Sequence, residues 1–416
     1  MNLSGYLKKD KLILLSLRGI SIVAKFLFTV LYFKSSEADF GEYNLVAVTI
    51  LLMVYLLGLD FYSYANREIL KPQSDKQKII FNQFIFYILL YILLLPVVYI
   101  LFNLLHFNPQ YQILFYLVLI SEHLNFEFYR LLFVFKKPLA ANINLFLRNG
   151  LWVSGIVIIL WLQQEISIDT VLKFWLAGNM AALIFSWAMI INKKKKIIKS
   201  SLKPDFNWIK NGVIISIPYI LGTISYKTIE FADRYMINSF IDKKAVGVYS
   251  FFANMANVIN IVLFTLVVSV LYPYIVEGIT HKDQQKFKTY YTKFKKEILI
   301  YSGGLLVLLS VLLPIILMGI NKTQYLKDFH IFLLLALSNI LLNWSFLYHY
   351  ILYAHKKDWT IFYITFIAAF INVLLNYLLI PYIGITGAAL ATFISFLLIW
   401  LLKYRWQNSL DNKGLN

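Results

Sequence analysis

The chain is a succession of apolar runs, each about twenty residues long, joined by short connections that hold most of its charge. A run of that length crosses the ~30 Å hydrocarbon core of a bilayer as a helix. Within lipid, a helix satisfies its backbone N–H and C=O groups from its own segment, which an open strand or loop cannot do. Twelve such helices are expected, near 12–33, 42–62, 79–103, 111–135, 139–162, 171–192, 212–240, 246–272, 297–320, 328–353, 359–380 and 384–402. Composition agrees: 60% of residues are hydrophobic and only 14% charged, against about 25% charged in soluble domains. The chain therefore reads as an all-α integral membrane protein.

Charge placement sets the orientation. The formal charge of +18 would suggest a nucleic-acid partner in a soluble protein, but the lysines and arginines sit in short loops, so no nucleic acid is expected. Lys8, Lys9 and Lys11 precede the first run, which continues to Phe33 without a small-residue cleavage site and reads as a span rather than a signal peptide. Alternate connections and both ends are basic, whereas the opposite loops hold only Lys34, Lys243, Lys244, Lys322 and Lys327. The positive-inside rule then puts both termini in the cytoplasm of a multi-pass protein. The longest connections on that side are the Lys193–Lys196 run continuing to Lys210 and the stretch 281–297, where Phe287, Tyr290, Tyr291 and Phe294 alternate with lysines. Each reads as a solvated loop or as an amphipathic helix on anionic headgroups. No loop is long enough for a soluble domain. With no cysteine, disulfides, thiol catalysis and cysteine-based metal sites are excluded.

Two spans carry a pair of cations seven residues apart, Arg18 with Lys25 and Lys227 with Arg234, and both members recur after the same 209 residues, about half the chain. A cation mid-span costs about 2.5–3.5 kcal/mol on insertion scales, so it is rare and faces protein or a water-filled interior. Seven residues is two helical turns, which puts each pair on one helix face. Two further echoes support duplication. Gly41, Tyr43 and Ala47 near the start of span two match Gly247, Tyr249 and Ala253 in span eight, and Lys136-Lys137 after span four matches Lys356-Lys357 after span ten. The expected plan is a six-helix lobe over 1–192, a cytoplasmic linker over 193–211 and a second six-helix lobe over 212–416, with a positively lined path between them.

The stretch Phe231-Ala232-Asp233-Arg234-Tyr235-Met236-Ile237, followed by Val246-Gly247-Val248-Tyr249-Ser250, resembles the polysaccharide-export flippases of the multidrug/oligosaccharidyl-lipid/polysaccharide (MOP) superfamily. Asn372 to Pro381 running into Gly384-Ile385-Thr386-Gly387-Ala388-Ala389 is similar to the same group near its penultimate loop, and Glu37 to Tyr43 with Leu57-Gly58-Leu59 fits its first hairpin. The resemblance covers the whole chain. It implies two six-helix lobes in a MATE-like arrangement around a cationic central cavity. It also implies a substrate, an undecaprenyl-diphosphate-linked oligosaccharide, moved between leaflets of the bacterial inner membrane without a cofactor and without breaking a covalent bond. O-antigen repeat units are the first expectation, with capsule or exopolysaccharide next. A polysaccharide polymerase and a chain-length regulator are the implied protein partners, and H⁺ or Na⁺ the implied coupling ions.

Arg18, Lys25, Lys227 and Arg234 are then the candidates to receive the diphosphate, since arginine offers a planar fork for phosphate oxygens and lysine a mobile point charge. The alternative is internal pairing of Lys227 and Arg234 with Glu230 and Asp233, Lys227 and Glu230 being three apart on one helix, or snorkelling of Arg234 at the membrane edge. Arg148 of span five with Glu122, His123 and Glu127 of span four forms a second charged cluster. It reads either as a structural ion pair or as a protonatable coupling site, with Glu122 the deeper carboxylate. Asp60 reads as a helix terminator, Pro96, Pro218, Pro273 and Pro314 as bends, Pro218 also as a hinge, and Trp152, Trp161, Trp175 and Trp400 as interfacial or lipid-facing residues. Two rival functions remain: a cation-coupled small-molecule antiporter on the same fold, and a membrane-embedded polymerase or glycosyltransferase, against which the short outer loops argue.

Overall fold

Each span stops and restarts through local capping rather than through long loops. The computed structural model describes residues 3–72, 74–163, 165–191 and 203–411; the Lys193–Lys196 run lies outside them. The chain divides into two units, Met1–Ile220 and Leu221–Asn416. The helices of the first are α1 (Leu3–Ser35), α2 (Glu37–Gly58), α3 (Tyr62–Leu70), α4 (Lys76–Leu104), α5 (Gln112–Val134), α6 (Pro138–Phe146), α7 (Trp152–Gln163), α8 (Ile168–Ile191) and the opening turns of α9 (Phe206–Phe240). The rest of α9 belongs to the second unit, with α10 (Lys243–Leu263), α11 (Ser269–Thr280), α12 (Gln284–Gly319), α13 (Phe329–Ala354), α14 (Asp358–Ile383) and α15 (Ile385–Asp411).

Side-chain oxygens of Ser36, Asp75, Asp242 and Asp283 accept from backbone N–H groups three residues on, opening α2, α4, α10 and α12. Asp205 does the same for Trp208 at the start of α9, and that bond, with Lys78 3.3 Å away, holds its carboxyl below the usual carboxylate range. Helix ends close in the left-handed region. Lys136 and Lys356, the echoed lysines, both have φ of 57°. In the first turn, Lys136 N–H donates to Phe133 and Lys137 N–H to Leu132; in the second, Lys356 N–H donates to Tyr353 and Lys357 N–H to Leu352. This is the Schellman closure, repeated in both halves. Helices α2 and α10 likewise start in one register, so that Gly41 and Gly247 fall at the fifth helical position of each.

In the first unit α5 is the inner helix, packed on α8, α2 and α6, while α1 packs on α7 and α6. Its buried face holds Ser121, Glu122, His123, Asn125 and Glu127. Outer helices present apolar side chains instead: Ile92, Leu93 and Ile100 of α4 are mostly exposed, as a lipid-facing surface requires. Between α6 and α7 the chain makes a π-helical turn over Leu147–Leu151. In the second unit α13 takes the inner place, packed on α15, α10 and α11. Gly387 lets α15 approach α14 closely, since a methyl there would lie 2.7 Å from the Leu379 carbonyl carbon, and Ala388 and Ala389 are fully buried beside it.

Eleven helical segments among the described residues are long and apolar enough to cross a membrane, where the sequence led us to expect twelve. The difference is α5. Its 23 residues form as expected, but its inward polar face lowers its hydropathy below that of its neighbours. The stretch 281–297 resolves into an amphipathic helix, the opening of the 36-residue α12. There Phe294 is buried, Tyr290 stacks on Tyr274 of α11 at 4.5 Å, and Lys288, Lys293 and Lys296 are exposed. Pro96, Pro218, Pro273 and Pro314 all lie inside continuous helices.

Gly178 of α8 sits against backbone, where an added methyl would lie 2.8 Å from the Leu147 carbonyl oxygen; nothing lies within 4 Å of one on Gly304 of α12. Gly178→Ala is expected to destabilise the protein by about 1–3 kcal/mol. Gly304→Ala should leave stability unchanged or raise it by up to about 1 kcal/mol through helix propensity. Thermal unfolding in detergent measures both, and equal midpoints would mean that α8 has room to spare at this point.

Candidate functional site

Charged residues of the first unit converge on α5. Arg148, carried by the π-helical turn, donates from Nη1 to Glu122 Oε1 at 2.9 Å, with side chains only 3% and 2% exposed. The second oxygen of Glu122 accepts from the Trp175 indole N–H at 3.1 Å. Trp152 donates its own indole N–H to the Arg148 carbonyl at 2.6 Å and stacks on Trp175 at 5.6 Å. Both tryptophans are buried; they are parts of this cluster and not the lipid-facing residues expected, because each indole N–H has a polar partner to reach inside. Trp161 does face outward. The Arg148 guanidinium also lies 4.0 Å from the ring centroid of Phe126.

Glu127 sits in a separate cluster further along α5. Arg130 pairs with its Oε1, while Gln83 and Tyr87 donate to its Oε2 at 2.9 and 2.7 Å. Arg130 in turn lies 3.5 Å from the Tyr62 ring centroid. His123 Nδ1 meets the Tyr91 hydroxyl at 2.6 Å, and its Nε2 is buried with no hydrogen-bond partner among the described residues. Asp60 follows the end of α2 in the left-handed region, as a terminator should, yet it is buried and within electrostatic reach of Arg130.

The two cation pairs have different surroundings. On α1, Arg18 and Lys25 are both exposed. Arg18 Nε donates to Asn142 Oδ1 of α6 at 3.0 Å, and Lys25 lies within electrostatic reach of both Glu122 and Arg148. No carboxylate among the described residues forms an ion pair with either. On α9, Lys227 Nζ is 2.6 Å from Glu230 Oε2, and Arg234 Nη1 is 3.1 Å from Asp233 Oδ1 and donates to the Glu230 carbonyl at 2.8 Å. The Tyr249 hydroxyl of α10 donates to the other oxygen of Asp233. Counting back 209 residues from Glu230 and Asp233 reaches Ser21 and Ala24. Helix α9 thus carries two carboxylates that α1 lacks at the matching positions, and its cation pair is neutralised within the helix.

Two residues escaped the sequence reading. Arg130 belongs to the Glu127 cluster, and its spacing of three from Glu127 was the available signal. Lys403 falls one residue past the expected end of span twelve and counted as a tail charge; α15 in fact continues to Asp411, and Lys403 is buried within it at 4% exposure.

Residues 7–279 match the family described as polysaccharide biosynthesis protein. Among solved structures the chain is similar to an inward-facing multidrug resistance MATE family transporter of the MOP superfamily, with a TM-score of 0.71 at 14% identity over 97% of this chain and 98% of that one. It is also similar to the lipid II flippase MurJ in an inward closed conformation, with a TM-score of 0.67 at 16% identity over 94% and 86% of the two chains. A Vibrio cholerae MATE transporter gives 0.60 at 13% identity over 98% and 99%. No curated protein sequence matches the chain. Helix content, spans and the family match agree: the chain is a multi-pass membrane protein with the MOP-superfamily fold, and it belongs to the polysaccharide biosynthesis protein family.

Proposed function

We propose that this protein is a flippase that moves an undecaprenyl-diphosphate-linked polysaccharide repeat unit, O-antigen first among the candidates, from the cytoplasmic to the periplasmic leaflet of the bacterial inner membrane. The observation that carries this reading is the exposed, carboxylate-free pair Arg18 and Lys25 on α1. Two cations on one face of a membrane helix, seven residues apart, suit a diphosphate, to which each contributes a charge-assisted contact. The family match and the similarity to a lipid II flippase support a lipid-linked glycan as cargo. Access alternates between the two membrane faces through the lobes expected over 1–192 and 212–416, joined by 193–211, and H⁺ or Na⁺ supplies the coupling. Glu122, Glu127, Arg148, Glu230 and Asp233 act as structural partners that keep the interior charge-balanced, and a polymerase and a chain-length regulator act on the exported unit. A cation-exporting antiporter would need acidic groups facing its cargo, whereas Glu122, Glu127, Glu230 and Asp233 are each engaged by a cation.

In a deletion strain, Arg18→Ala and Lys25→Ala should each cut surface glycan about tenfold or more and accumulate the lipid-linked unit, for a lost charge-assisted contact of about 1.5–3 kcal/mol. Lys227→Ala should impair the protein by stranding Glu230, and the double variant Lys227→Ala with Glu230→Ala should recover. Normal export by well-expressed Arg18→Ala and Lys25→Ala would defeat the reading. Orientation is testable separately, because the chain has no cysteine. Lys244→Cys should react with an impermeant thiol reagent added outside, and Lys288→Cys only after the inner membrane is opened; the reverse pattern would invert the topology.

A further inference from the structure

The second unit holds a buried cation with no counter-ion. Lys403 of α15 is 4% exposed, and among the described residues it has neither an ion pair nor a hydrogen bond. Trp400 stands three residues earlier, on the same face of α15, and its indole N–H is buried without an acceptor. Ring contacts tie Trp400 to α13. Trp400 stacks on Tyr404 at 6.1 Å, Tyr404 meets Tyr348 of α13 at 5.3 Å, and Tyr348 stands one turn after Trp344. His349 of α13 is within electrostatic reach of Lys403 and contributes no negative charge.

An ammonium and an indole N–H left without acceptors at one helix seam are costly to bury, and a charge inside a membrane segment that finds no protein partner points to a ligand. The missing group must be an anion with several acceptor oxygens. The seam lies toward the end of the unit where Lys356, Lys357 and Arg405 gather, the level at which headgroups meet protein. Leu401, Tyr404 and Trp406 are exposed beside it and offer an apolar flank for an acyl chain.

We propose that Lys403, with the indole N–H of Trp400, binds a phosphate-type oxyanion at the α13–α15 seam. The source is either a phospholipid headgroup or a soluble phosphate. This site stands on the second unit alone and does not depend on the role given to Arg18 and Lys25.

Full-length protein, purified in neutral detergent and stripped of lipid, would be titrated with phosphatidylglycerol, phosphatidylcholine, inorganic phosphate or pyrophosphate while its thermal unfolding is followed. Binding to the folded state raises the midpoint, here by about 3 °C or more. A rise with phosphatidylglycerol alone assigns the site to lipid, and a rise with phosphate or pyrophosphate assigns it to the soluble anion. In either case Lys403→Met should abolish the rise and Lys403→Arg should keep it. Trp400→Phe, which removes one N–H and keeps the ring, should raise the half-saturating concentration severalfold, and it carries the test should Lys403→Met fail to fold. Equal rises with phosphatidylglycerol and phosphatidylcholine, no rise in the wild type, or an undiminished rise in Lys403→Met or Trp400→Phe would overturn the proposal.

Discussion

A charge inside a hydrocarbon layer is costly unless it finds a partner, and the architecture around α5 follows from meeting that need. Glu122 shows how much structure one carboxylate organises. One of its oxygens is held by Arg148 and the other by Trp175. Arg148 is delivered by the π-helical turn over Leu147–Leu151, and Gly178 lets that turn pack closely, since an added methyl there would press on the Leu147 carbonyl. Such π-bulges place side chains that a regular helix would misdirect. Removing either member of a buried pair leaves the other stranded, at about 3–5 kcal/mol. The pair therefore constrains the backbone of α5, α8 and the α6–α7 junction together.

The two halves share local features of their framework and differ in charge. Both halves keep the same capped entry into α2 and α10, the same left-handed lysine turns and an equivalent inner helix, α5 or α13. Yet α9 carries Glu230 and Asp233 where α1 has Ser21 and Ala24. Two substitutions of this kind convert a cationic helix face into a self-neutralised one. The pair on α9 is thereby neutralised and the pair on α1 is not, so these two helices are not equivalent toward an anionic ligand.

What could be read from the sequence was what depends on local periodicity. Runs of apolar residues marked the spans because lipid selects for them along the chain, and the paired cations marked α1 and α9 by spacing alone. Tertiary partners were harder. Trp152 and Trp175 look like interfacial residues in the sequence because their partners, Arg148 and Glu122, lie on other turns or other helices. Lys403 was assigned to a tail because apolarity fades near residue 402, although the helix persists for two more turns; its burial is set by α13, which no local signal reports. In α5 the same limitation worked in the opposite direction: its length announced a span, while its polarity reflects neighbours that supply Arg148, Gln83 and Tyr87.

Lys25 shows why local neutralisation does not extend to every cation. Glu122 lies within its electrostatic reach, so a direct pair would seem the natural outcome. But both Glu122 oxygens already accept directed bonds from donors fixed by buried rings and backbone. Turning toward Lys25 would leave the Arg148 guanidinium or the Trp175 N–H unpaired in a dry interior, which costs more than a solvated lysine gains from one further contact. The neighbouring arginine also repels it. Lys25 is therefore held near a region of fixed charge without being satisfied by it, and an anion arriving at α1 meets an ammonium whose competing partner is already occupied.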